Sequence, residues 1–320
     1  MKPDRKSLLS IIIPCFNEEV VIEQTQRQLC EVLERLELGY ELIYVDDGSG
    51  DGTPEILRRF READEHVRVL RLSRNFGHQM AITAGMEHAS GDAVVVIDAD
   101  LQDPPEVIPE MVTKWLEGYH VVYGLRTERH GETEFKLWTA KIFYRLINRL
   151  SKVKIPLDAG DFRLLDRKVV NALRAMSERD RFVRGLVSWA GFRQVAVPYQ
   201  RAPRLTGESK YSFLKMMRFA MDGIFSFSLY PLRFATWAGF LSLGLAFAGI
   251  IYALVIRLFT ENVVSGWTTI IMAVLFLGGV QLICLGIIGE YVGRNYGESK
   301  RRPLYIIQEG LGFEEQNPEE

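Results

Sequence analysis

Three cysteines in 320 residues, Cys15, Cys30 and Cys284, lie far apart and form no C-x-x-C pair. That scarcity speaks against a zinc ribbon or a disulfide framework and suits a reducing compartment. An excess of one charge is also missing: 39 Lys and Arg stand against 41 Asp and Glu, for a net charge of −2. With no RNA- or DNA-binding motif beside it, nucleic acid is not an expected partner. The N-terminus, MKPDRKSLLS, carries no apolar h-region and no cleavage site of a signal peptide, so the first domain is expected in the cytosol. No G-x-G-x-x-G follows the first apolar run and no Walker lysine motif occurs, which supports neither a dinucleotide fold nor a P-loop.

What is present is a core-forming composition, 48% hydrophobic, with material left over for a second module. In the N-terminal part, residues 10–15, 40–45, 67–72, 93–97 and 121–124 read as strands. Residues 19–38, 53–63, 79–89 and 106–117 read as the helices between them. That alternation predicts an α/β fold with a mostly parallel sheet and helices on both faces. Ligands of such sheets lie beyond the carboxyl ends of the strands. PCFNEE (14–19), DDGSGDGT (46–53), LSRNFGHQ (72–79) and DADLQDPPE (98–106) each follow directly on an apolar run. One such segment has the composition of an ordinary turn; four on one sheet edge predict a site.

The fourth segment brings two carboxylates, Asp98 and Asp100, to the end of a buried strand, with Gln102 and Pro104-Pro105 behind them. Neighbouring carboxylates repel, so a cation is expected there. Mg²⁺ and Mn²⁺ favour one or two carboxylates together with substrate phosphate oxygens, which would neutralise a nucleotide diphosphate without a P-loop.

The C-terminal part has a different character. Residues 235–256 contain no charge, and neither do residues 267–289; each stretch exceeds the roughly 20 residues that cross a bilayer as a helix. Lys215, Arg218 and Arg233 precede the first and Arg294, Lys300, Arg301 and Arg302 follow the second, while Arg257 and Glu261 lie between. The positive-inside rule then puts both ends in the cytosol. Residues 133–150 and 213–233 read as basic amphipathic helices suited to a headgroup layer. The expected organisation is a cytosolic catalytic domain over 1–212, an interfacial region over 213–233, two transmembrane helices over 234–293 and a cytosolic tail over 294–320.

Taken with AGDFRLLDR (159–167), GESKYS (207–212) and GEYVGR (289–294), the four sheet-edge motifs resemble the polyprenyl-phosphate glycosyltransferases of glycosyltransferase family two. The resemblance is greatest to the bactoprenol (undecaprenyl-phosphate) glucosyltransferases and more distant to the dolichol-phosphate-mannose synthases. It implies a GT-A fold, a nucleotide-sugar donor, a Mg²⁺ or Mn²⁺ ion, inversion at the anomeric carbon, a bacterial cytoplasmic membrane and a homo-oligomer. Position by position, it implies that Pro14, Phe16, Asn17, Glu18 and Asp47, with Gly48 and Arg74 nearby, hold the base and ribose. Asp98, Asp100 and Gln102 would line the metal and diphosphate, and Arg204 and Lys210 would reach the donor phosphates. Arg126 corresponds to a position for the lipid phosphate, with Lys136 or Lys141 as a second cation, and Asp161 to the acid near the reaction centre.

The resemblance implies UDP-glucose as donor; UDP-formamido-arabinose, a UDP-N-acetylhexosamine and GDP-mannose are the alternatives. The acceptor would be a phosphate monoester, largely dianionic at neutral pH, so Asp161 is expected to steady positive charge more than to act as a base. A processive polysaccharide synthase would require Q-x-x-R-W, which is missing. A transporter would need ionisable residues within its spans. A catalytically dead scaffold is disfavoured by the intact D-x-D and Asp161.

Overall fold

The computed structural model describes residues 7–127, 159–176, 178–179, 181–201, 230–259 and 266–313. The amphipathic segment predicted over 133–150 lies outside these residues, as do residues 213–229 of the one predicted over 213–233 and Lys136, Lys141, Arg204 and Lys210.

The first half of the chain alternates β1 (Leu8–Cys15), α1 (Ile22–Leu33), β2 (Gly39–Asp46), α2 (Thr53–Ala63), β3 (Val67–Leu72), α3 (His78–His88) and β4 (Ala93–Val96). A 3₁₀ turn (Pro105–Val107), α4 (Ile108–Leu116) and β5 (Val121–Arg126) follow. Then come β6 (Ala159–Asp166), α5 (Arg167–Arg174), α6 (Val183–Trp189) and β7 (Gln194–Tyr199). Beyond the helical hairpin of α7 (Tyr230–Phe259) and α8 (Trp267–Ser299) lies β8 (Ile307–Leu311).

The eight strands form one sheet in the order β7-β5-β6-β4-β1-β2-β3-β8. Six run parallel; β6, between β4 and β5, and β8, on the edge beside β3, run against them. Because side chains alternate faces along a strand, β1 serves two layers. Leu9, Ile11 and Ile13 pack with Leu29 of α1, Leu57 of α2 and Met111 of α4. Ile12 points to the other face, where a Cβ on Gly85 of α3 would fall 2.4 Å from its Cγ2, so α3 approaches the sheet only because residue 85 is glycine. β1 and β4 are buried on both faces, which is why they read as largely apolar runs, and β2 is buried on both faces from Glu41 onward.

The described residues fall into two compact units. One contains those up to residue 201 together with 302–313, and the other the hairpin with its flank up to Arg301. In the hairpin, Cys284 Sγ lies 3.5 Å from the carbonyl oxygen of Ala235, bringing α8 against α7. Both helices are long and apolar enough to cross a membrane, over Tyr230–Tyr252 and Phe276–Ser299. Leu241, Phe247, Leu282 and Ile283 are among their many exposed side chains. Apolar surface of this extent, left uncovered by protein, is what a bilayer covers.

Sequence reasoning predicts only a tail from residue 294 onward. In the structure α8 continues to Ser299 and the chain then returns to the first unit, where β8 completes the sheet edge. Arg58 fastens it, donating from Nε to Glu309 Oε1 (3.3 Å) and from Nη2 to Oε2 (2.9 Å). Ile306 O accepts the N–H of Ser73 (2.9 Å), and Tyr305 donates to Glu87 (2.5 Å).

Candidate active site

The first two motif segments are sewn together. Asn17, at φ +56°, donates its N–H to Ser49 Oγ and accepts the Gly50 N–H on Oδ1, both at 2.9 Å. Asn is among the few residues that tolerate this left-handed backbone. Glu18 donates its N–H to Thr53 Oγ1 (2.9 Å), and Glu19 Oε2 accepts the Gly52 N–H (2.7 Å). Pro14 stays within β1 opposite Val45, while Phe16, 45% exposed, stands at the lip.

Asp47 holds the third segment to the second. Its Oδ1 accepts the Phe76 N–H (2.7 Å) and its Oδ2 the Gly77 N–H (2.9 Å). Burial raises its pKa and these two amides partly offset the rise. Next to it, Gly48 sits at φ +73°, and a Cβ there would lie 2.5 Å from the carbonyl carbon of Arg74. Only glycine allows the two loops to meet so closely. Arg74 itself folds over Phe76, with Cζ 4.1 Å from the ring centroid.

The third and fourth segments meet β6. Because β6 runs antiparallel to β4, with Arg163 opposite Val96, its first residues arrive where β4 ends. Asp161, 6% exposed, is thereby brought to Asp98. His78, the first residue of α3, links them: its Nε2 lies 3.5 Å from Asp98 Oδ1 and 3.4 Å from Asp161 Oδ2. Asp161 is also held by Arg184 of α6, Nε to Oδ1 at 2.8 Å and Nη2 to Oδ2 at 2.9 Å. Gln79 donates to Asp161 Oδ2 (3.3 Å) and accepts the Val183 N–H (3.0 Å), tying α3 to α6.

The two acids titrate in opposite directions. Burial pushes Asp98 up to about 6, with His78 opposing and the charges of Asp103, Asp161 and Asp100 adding to the rise. Burial acts upward on Asp161 as well, but the charge and hydrogen bonds of Arg184, together with His78, hold its carboxyl well below the usual carboxylate range. His78 is raised: burial works against its charge, and the hydrogen bond to Asp161 with the charges of Asp98 and Asp161 outweighs it. Asp161 is therefore a fixed anion, and Asp98 the more adaptable one.

Among the described residues no three His, Cys, Asp or Glu side chains gather as a self-sufficient metal site. Asp98 Oδ1 is nevertheless buried without a hydrogen bond, an oxygen of the kind a cation satisfies. Asp100 Oδ1 accepts the Gln102 N–H (3.1 Å), curling the loop through Leu101 at φ +56°. A partial oxygen set of this kind fits an ion that arrives with substrate phosphates to complete its shell.

Arg126, at the end of β5, donates from Nε to Tyr199 Oη (3.1 Å) and approaches Asp103 Oδ1 with Nη2 (3.4 Å). Sequence reasoning singled out neither His78 nor Arg184. His78 lies within a quoted motif, directly after Gly77, the glycine that precedes α3. Arg184 follows Asp161 by 23 residues and meets it only through the fold.

Residues 10–174 match Glycosyl transferase family 2, and residues 230–294 match the GtrB C-terminal hairpin. An uncharacterised glycosyltransferase of Bacillus subtilis (strain 168) is 52% identical, covering 95% of this chain and 94% of that protein. A prophage bactoprenol glucosyl transferase homolog of Escherichia coli (strain K12) is 40% identical, and the bactoprenol glucosyl transferase of Shigella phage SfV 41% identical. Each alignment covers 94% of this chain and 98% of the relative. With a GT-A-type mixed sheet, matches on both units and similarity from end to end, this chain belongs to glycosyl transferase family 2 and is a glycosyltransferase.

Proposed function

We propose that the chain transfers glucose from UDP-glucose to undecaprenyl phosphate at the cytosolic face of a bacterial inner membrane, with inversion at the anomeric carbon. The observation that carries this reading is the convergence of Asp98, His78, Asp161 and Arg184 at the carboxyl end of β4. It is supported by relatives named as bactoprenol glucosyl transferases that align along nearly the whole chain.

In this reading Pro14, Phe16, Asn17 and Glu18 bind the nucleoside from the lip of β1, and Asp47 and Gly48 shape the neighbouring loop that carries Arg74. Asp98, Asp100 and Gln102 hold Mg²⁺ or Mn²⁺, which when bound neutralises charge on the departing diphosphate. Arg126 takes the lipid phosphate. Lys136 or Lys141 assists it, and Arg204 and Lys210 are assigned to the donor phosphates.

A phosphate monoester is largely dianionic at neutral pH. One of its oxygens bonds to the anomeric carbon as the bond from that carbon to the nucleoside diphosphate breaks, and the electron pair leaves with the diphosphate. The nucleophile has no proton to lose. Asp161, kept ionised by Arg184, is suited to stabilise oxocarbenium-like charge beneath the ring and unsuited to accept a proton. The hairpin α7–α8, with arginines and lysines on the flanks of its spans, keeps the catalytic unit and both termini on the cytosolic side.

The test is nucleoside diphosphate release by the purified full-length protein with Mn²⁺ or Mg²⁺, undecaprenyl phosphate and a panel of UDP- and GDP-sugars. Lipid-dependent release with UDP-glucose, lost in Asp100→Ala, is the expected result. Release with a different sugar alone would overturn the glucose assignment and leave the transferase.

A further inference from the structure

The loop that carries Asp98 and Asp100 does not end at Gln102. Its next residue, Asp103, is wholly buried, as is nearly all of Tyr199 at the end of β7, 5% exposed. Tyr199 Oη donates to Asp103 Oδ1 in a short hydrogen bond and receives one from Arg126 Nε at 3.1 Å. Arg126 Nη2 lies 3.4 Å from the same Asp103 oxygen. The guanidinium also lies against the backbone of β6, where a Cβ on Gly160 would fall 2.7 Å from Nη2. Next along β6, Asp161 is the acid gripped by Arg184.

A cation meant only for the surface needs none of this. Two of the five N–H donors of Arg126 are spent on a buried phenol and a buried carboxylate, and a glycine leaves room for its planar group. Thr127 closes the arrangement, donating from N and from Oγ1 to the carbonyl oxygen of Tyr199, each at 3.0 Å. Arg126 is therefore attached, through one acid, to the loop that bears the D-x-D pair.

We infer that Tyr199 and Asp103 are positioning residues for the acceptor: they fix the guanidinium of Arg126 in register with the D-x-D loop, so that the lipid phosphate is held at a set place relative to the donor. The inference rests on the assignment of Arg126 to the acceptor phosphate. Because an arginine clamp gains its effect from geometry, its loss of orientation is felt in acceptor binding while the donor is bound as before.

Tyr199→Phe is the informative substitution, since it keeps the ring that meets Phe162 edge-on at 5.7 Å and removes only the hydroxyl. The experiment measures KM for undecaprenyl phosphate and for UDP-glucose in the full-length protein, in Tyr199→Phe, in Arg126→Ala and in the double variant. A melting curve for each checks folding. The inference predicts that Tyr199→Phe raises the acceptor KM about tenfold, the equivalent of ~1.4 kcal/mol, and leaves the donor KM unchanged. In the double variant the acceptor KM should be no higher than in Arg126→Ala alone, a coupling that a merely structural role would not produce. Asp103→Asn should follow Tyr199→Phe. If Arg126→Ala raises the acceptor KM but Tyr199→Phe does not, or if the two effects multiply, the positioning role is overturned and the Arg126 assignment stands. If Arg126→Ala leaves the acceptor KM unchanged, the assignment itself falls and the inference with it.

Discussion

Arg184 grips Asp161 through both carboxylate oxygens, at 2.8 and 2.9 Å, and shares Oδ2 with His78, whose Nε2 lies 3.4 Å from it. A bidentate arginine supplies orientation as well as charge. Asp161→Asn keeps the shape and removes the charge; kcat should fall by about 100-fold, the scale of losing one preorganised electrostatic group. Near-normal turnover would show that Asp161 does not act on developing charge. Arg184→Met leaves Asp161 buried without its main partner. It should cost roughly 3 kcal/mol in stability, at the low end for a broken buried pair because Arg184 is 24% exposed.

Gly48→Ala tests the contact between the second and third motif loops. The new methyl enters a left-handed backbone and meets Arg74 at 2.5 Å, so the loop of residues 73–77 has to move. A loss of about 2–4 kcal/mol is expected from strain and overpacking together. A raised KM for the nucleotide sugar should accompany it. A melting curve and donor kinetics read the two effects separately.

Ending the chain after Arg302 removes β8 and leaves β3 as an unpaired edge. Lower thermal stability and a tendency to aggregate are expected, since an uncovered edge is a template for another strand. Glu309→Gln tests the ion pair alone. Both partners are about one-third exposed, so it should shift stability by no more than ~1 kcal/mol.

The cysteines give a prediction with a pH sign. Burial pushes the Cys15 thiol well above its ordinary value, and the Asp46 charge adds to the rise. Burial, with Asp64 and Glu34, pushes Cys30 up to about 11. The thiolate is the reactive form, so at pH 8 both remain protonated. Iodoacetamide should modify neither in the folded protein and both after unfolding, read by mass spectrometry of the peptides. Alkylation of Cys15 in the native protein at the rate of a free thiol would contradict the buried assignment.

The parallel half of the sheet was legible because burial writes runs dominated by β-branched and other apolar residues. Residues 67–72 and 53–63 match β3 and α2 residue for residue. The helix expected over 19–38 is shorter, Ile22–Leu33, since residues 17–19 are engaged with the following loop and the helix closes at Glu34. β6 was not read as a strand: Asp161 and Arg163 point charges into the interior, and polar residues at inward positions hide the pattern. β8 was missed because it contributes only five residues to an edge, three half-buried and two exposed. In the site, motif segments at strand ends were visible locally, whereas partnerships across the fold, Arg184 with Asp161 and Tyr199 with Arg126, leave no trace in spacing.

The most direct test of the central claim is the anomeric configuration of the product. The full-length protein is supplied with undecaprenyl phosphate, Mg²⁺ or Mn²⁺ and ¹³C-labelled UDP-glucose, and the lipid fraction is analysed by mass spectrometry and NMR. The account predicts one hexose on the lipid phosphate, in the β configuration from an α-linked donor. A lipid fraction without hexose, or a product that retains the α configuration, would contradict it.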